Sequence, residues 1–132
     1  MSLLRRLRDS FTAALRAANA EGRVAIMVEG DQATLRDVET KDVRWTVDLR
    51  ALQRVTAWVQ NKRAMDYVTV RLGLPDRDVE VEDDTIGFGA FMRDLEGRLG
   101  VELLEPAMAL GQQAYGGAHA VLWERDNIDP HA

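Results

Sequence analysis

Along most of this chain apolar and polar residues alternate one by one, and in two stretches the alternation gives way to a spacing of three and four. Val24, Ile26 and Val28 share one parity, and Gly30-Asp31 then marks a tight turn. Gln32 to Val38 returns with a less regular pattern in Thr34, Leu35 and Val38, and Val43, Trp45 and Val47 alternate again. Asp48-Leu49-Arg50-Ala51-Leu52 reads as a helical turn or a strand corner. Val55, Ala57 and Val59 follow, set against Thr56 and Trp58. Val68, Val70, Leu72 and Leu74 form the longest run of one parity, with Tyr67, Thr69 and Arg71 on the other. Leu74-Pro75-Asp76-Arg77 has turn chemistry, and the chain comes back with Val79 and Val81 inward and Asp78, Glu80 and Glu82 outward. The pattern predicts an antiparallel hairpin with one wet face.

The first stretch of helical spacing is Phe88, Phe91, Met92, Leu95 and Leu99, an apolar stripe. Asp83 and Asp84 precede it where negative charge suits a helix N-terminus, Gly87 is the expected N-cap, and Gly100 a natural stop. Asp94 and Arg98 stand four apart in the favourable order. The second stretch is residues 2–20, where Leu3, Leu4, Leu7, Phe11, Leu15 and Ala18 oppose Arg5, Arg8, Asp9, Thr12 and Arg16. Such a helix lies either on a membrane surface or against the domain or a partner subunit. Pro106 to Gln113 suggests one more helical turn. Ala118 to Trp123 suggests a last strand with His119, Val121 and Trp123 on one face.

The expected fold is therefore α+β: a curved antiparallel sheet of about six or seven strands with one helix packed across it, plus an extra N-terminal amphipathic helix. It forms a single domain over residues 1–132: an N-terminal helix at 1–22, a sheet and helix body at 23–125, and a tail at 126–132.

Charge sharpens this picture. The 132 residues carry a net −5, yet residues 1–23 hold five arginines against Asp9 and Glu21, a local +3, so the remainder carries −8. An acidic body argues against nucleic acid as a partner and against attachment to an anionic membrane. Cysteine is absent, which removes disulfides and thiolate chemistry. No apolar run approaches the roughly 20 residues of a membrane span, and the N-terminus lacks a signal-peptide core, so a cytoplasmic location is expected.

Candidate chemistry is sparse. Glu80 and Glu82 share a face and Asp84 can join them as an oxygen-rich cation site, with His119 as a base for a weak hydrolase or a small-ligand pocket. The plainer reading is a solvated strand face followed by helix-dipole residues. His131 is the other imidazole, and Ser2 and Ser10 are the only serines. Gly87-Phe88-Gly89 lacks the third glycine and the lysine of a phosphate cradle. No cofactor or metal is expected. Leu3, Leu7, Phe11, Leu15 and Trp58 are the candidate interface residues, Trp58 because it opposes the apolar parity of its own strand. The expected function is a non-catalytic module that binds a protein, as a homodimer or as an immunity-type inhibitor. The latter rests on analogy of size and acidity alone.

Trp45 followed by Asp48-Leu49, then Val79-Glu80-Val81-Glu82-Asp83 leading into Gly87-Phe88 and a helix, resembles small bacterial domains with a PH-like rolled sheet. The resemblance spans residues 24–99 and implies a binding or scaffolding module rather than a catalyst.

Overall fold

The computed structural model describes residues 23–62, 65–112 and 118–126. The strands are β1 (Val24–Glu29), β2 (Gln32–Asp37), β3 (Val43–Asp48), β4 (Arg54–Lys62), β5 (Met65–Gly73), β6 (Asp78–Glu82) and β7 (His119–Glu124). Helices α1 (Phe88–Leu99) and α2 (Leu104–Gly111) stand between β6 and β7, and a 3-10 turn, Leu49–Ala51, separates β3 from β4. The expected helix at residues 1–22, with Leu3, Leu7, Phe11 and Leu15, falls outside the described residues.

This corrects the α+β expectation. The described chain is mainly β, 49% strand and 24% helix, and it builds two antiparallel sheets rather than one. The first sheet runs β1-β2-β3 and the second β6-β5-β4-β7. The division falls at Leu49–Ala51. Asp48 caps that turn by accepting a hydrogen bond from the Arg50 backbone N–H at 2.9 Å, so the chain leaves β3 at a corner and β4 starts a new sheet. Alternation tells which face of a strand is buried and says nothing about which neighbour it takes.

The sheets meet at their edges. The Trp45 indole N–H on β3 donates to the Glu80 carbonyl on β6 at 3.3 Å, and the Arg77 guanidinium donates to the Thr46 carbonyl. On the far side the chain crosses from β6 to β1, where Ile86 donates to the Val24 carbonyl at 3.0 Å and accepts from the Ile26 N–H at 2.9 Å. Gly87 follows at φ +87 as the N-cap of α1, and a Cβ there would lie 2.7 Å from the Ile26 carbonyl oxygen. Only glycine fits both the left-handed backbone and the close approach.

A second correction concerns the helices. Phe88, Phe91, Met92 and Leu95 of α1 are buried as their spacing predicts, but α1 packs against β1 and α2. It is α2 that lies over β4, β5 and β7, burying Ala107 and Leu110 against a core that includes Val55, Ala57, Val68 and Val70. The two helices are pinned to each other by Glu96. Its carboxylate accepts hydrogen bonds from the Leu103 and Leu104 backbone N–H groups at 2.8 and 3.0 Å, satisfying donors that the start of α2 leaves unpaired. At the other corner Arg98 holds Asp94 at 2.6 Å and reaches Asp31 at 2.7 Å and the Gly30 carbonyl, tying the end of α1 to the β1–β2 turn.

In β7 one extra residue changes sides. Val121 pairs with Thr56 and Trp123 with Val55, leaving Leu122 as a bulge. Trp123 therefore turns toward the core side and Glu124 outward, whereas His119, Val121 and Trp123 were expected on one face.

Two outcomes follow from this packing. Phe91→Ala should cost about 3–5 kcal/mol, read from urea unfolding, because its ring is buried in the shared core; a midpoint unchanged from the parent would deny that packing. Glu96 should contribute to the acid limb of stability. The two amide bonds hold its pKa below the ordinary glutamate range. Its contribution is therefore complete above the unfolded value, about 4.3, and is lost as pH falls through the lower folded value. Glu96→Gln should flatten that part of the pH–stability curve, and an unaltered curve would show the cap to be energetically silent.

Candidate functional site

The outward face of the second sheet is a set of cross-strand rows fixed by register. One row reads Asp78, Gly73, Arg54, Glu124; the next Glu80, Arg71, Thr56, Val121; the third Glu82, Thr69, Trp58, His119. A fourth places Tyr67 opposite Gln60. These side chains all project to the same side because successive residues of a strand alternate.

Neighbours within the rows are chemically matched. Arg71 pairs with Glu80 at 3.0 Å, and Arg54 with Glu124 at 2.8 Å. The Arg71 guanidinium also lies over the Trp58 ring, 4.6 Å from its centroid, so one cation bridges a carboxylate and an aromatic face. Gly73 leaves a gap in its row between Asp78 and Arg54, and this gap opens into a cleft of about 540 Å³. Arg54, Arg71, Asp78, His119, Glu124 and Arg125 are among the residues lining it. Arg125 is committed to the fold: it donates to the Leu52 carbonyl at 2.8 and 3.0 Å and to the Arg50 carbonyl at 2.9 Å, closing the corner between the sheets.

The sequence-predicted residues fall as follows. Trp58 is half-buried at the centre of the outward face. Glu80 lies two strands away, engaged with Arg71. Glu82 ends β6, Asp84 is in the turn beyond it, and neither lacks a partner. His119 is exposed on β7, at the opposite edge of the sheet. Glu82 and His119 share a row but stand three strand spacings apart, roughly 14 Å, with Thr69 and Trp58 between them. The cleft takes in His119 but neither Glu80 nor Glu82. The carboxylates and the imidazole are thus not brought together, and among the described residues no three His, Asp or Glu side chains could hold a metal ion.

Arg71, Arg54 and Gly73 are not among the residues that composition and spacing mark as candidates. Their signal was present in the hairpin: a turn at Leu74–Arg77 sets Gly73 against Asp78, and hence Arg71 against Glu80.

No family model matches the chain, and neither a curated protein nor a solved structure matches it. Among the described residues no helix is long and apolar enough to cross a membrane.

With the acidic residues spread along a strand and already engaged, millimolar calcium, magnesium or zinc should leave the melting temperature unchanged. A saturable rise that disappears in Glu80→Gln/Glu82→Gln would instead reveal a cation site.

Proposed function

We propose that the chain is a non-catalytic protein-interaction module whose contact surface is the outward face around Arg71, Trp58 and the Gly73 cleft. The observation that carries this reading is the stacked Arg71 on Trp58, held by Glu80 and still about half exposed, since the Arg71 side chain keeps 45% of its accessibility. Tryptophan and arginine are the residue types that dominate binding energy at interfaces, and here the fold has already fixed their rotamers, lowering the entropy cost of docking.

The surrounding cleft supports a macromolecular partner over a small ligand. Small-molecule sites are mostly apolar with a few polar groups, whereas this one is rimmed by ion pairs of both signs. Mixed charge of that kind favours register and discrimination between partners. The hydrolase alternative has less support, because Glu80 and Glu82 are outside the cleft that contains His119. The PH-like resemblance, a homodimeric or immunity-type role and a cytoplasmic setting belong to the same proposal.

The test compares the parent with Trp58→Ala and Arg71→Glu. A protein retained by the immobilised parent, identified, purified and titrated, should lose at least tenfold in affinity with each variant while both keep the parental circular dichroism. Equal affinity for all three would place the contact surface elsewhere.

A further inference from the structure

One end of the outward face is buried in a way its position does not explain. Tyr67 and Thr69 project from β5 to the same side as Arg71, yet they are 3% and 1% exposed while Arg71 is open to solvent. Their neighbours on that face, Gln60, Trp58 and Glu82, are half-buried as well, as are Met65 and Asp66 at the start of β5. Thr56 in the Arg71 row is 5% exposed as well, as a small side chain between longer neighbours is, but a whole phenol ring is hidden only at the Tyr67 end, on the side of the sheet that faces away from both helices. Thr69 donates to the Gln60 side-chain oxygen at 3.4 Å, which satisfies a hydroxyl but cannot hide a phenol ring.

Three features say what belongs there. The first is the place where the described chain begins. Val24 is hydrogen-bonded to Ile86, only two residues beyond Asp84, so residues 1–22 join the fold beside the Asp83–Thr85 turn at this end of the sheet. The second is charge. Glu82, Asp83 and Asp84 gather at that end, while Arg5, Arg6, Arg8 and Arg16 lie in residues 1–22. The third is the apolar stripe Leu3, Leu4, Leu7, Phe11 and Leu15, an area that soluble proteins seldom leave in water. A helix of 22 residues reaches about 33 Å, more than twice the roughly 14 Å between the outer strands of the sheet.

We propose that residues 1–22 of the same chain dock across the Tyr67–Thr69 end of the outward face, with the leucine stripe on Tyr67 and the arginines toward Glu82, Asp83 and Asp84. The face is thereby divided: the acidic half is an internal interface, and the half around Arg71 and Gly73 stays open. This assignment does not rest on the interaction role proposed for the open half.

Charge exchange in the full-length chain tests it. Arg5→Glu/Arg8→Glu/Arg16→Glu and Glu82→Arg/Asp84→Arg should each lower the melting temperature by several degrees. The combined variant should recover at least half of the summed loss, and purely additive losses would overturn the proposal. A second measurement holds even if a charge variant folds poorly. Ser10→Cys gives the cysteine-free chain one thiol for a nitroxide, which should broaden the amide signals of Tyr67 and Thr69. The broadening should persist when the labelled chain is diluted into excess unmodified protein. Broadening lost on dilution would assign the face to a second copy, and no broadening would leave it uncovered by this segment; either result overturns docking within one chain.

Discussion

Two hydrogen bonds between Ile86 and β1 hold together what the strand order alone would leave as two sheets joined on one side only. They force a sequence of events in very little chain. After β6 the backbone must cross to the first sheet, pair there with Val24 and Ile26, and turn at once into α1. Gly87 makes the turn possible, with its left-handed backbone pressed against the Ile26 carbonyl. Because the crossing is so short, α1 can only start over β1, and its buried residues face that strand. The space over β4 and β5 is left for α2. The placement of both helices, and with it the shape of the core, descends from this one crossing.

The outward face of the second sheet follows a different logic. Inside, side chains are chosen for volume; outside, two of the rows pair an arginine with a glutamate, and Arg71 reaches across to the Trp58 ring of the next. Exposed ion pairs of this kind contribute little to stability, each on the order of 0–1 kcal/mol. Their value lies in fixing long side chains in place. Arg71 between Glu80 and Trp58 is ordered by its partners and still presents guanidinium edges to solvent. Arginine and tryptophan held in this way are the residue types that carry most binding energy where proteins meet.

How much of this could be read beforehand depends on the range of the interaction. Most of the strands were legible because a period of two is local: Val68, Val70 and Leu72 announce their side without reference to any partner, whereas Gln32–Asp37 has a less regular pattern and β7 a bulge. The caps of α1 were legible for the same reason, in Gly87 and Gly100. The division into two sheets was not, since nothing in Val43–Asp48 or Arg54–Lys62 states that β3 and β4 part company. The full extent of α2 was obscured because Leu104–Gly111 is apolar nearly throughout and has no polar stripe to contrast with. The expected turn starts at Pro106, whereas the helix starts two residues earlier at Leu104, because in the first turn of a helix the missing N–H of proline is no loss. The candidate site was only half visible. Glu80, Glu82 and His119 stood out as reactive types, but which carboxylate meets which arginine is set by register. Arg71 acquires meaning only once it is placed opposite Glu80.

The bulge at Leu122 gives β7 a property the other strands of its sheet lack. Within the paired part of a regular strand, losing one residue sends every side chain beyond the loss to the wrong side. Here the bulged strand already carries one residue more than its partner β4 requires. Removing Leu122 would leave His119 and Val121 outward, Trp123 inward and Glu124 still opposite Arg54. In the history of such a sequence, length in this strand can be gained or lost at that one position without exchanging inside for outside. The C-terminal edge of the sheet is thus the part of the strand framework most open to variation in length, next to a cleft whose contents depend on which residues face out.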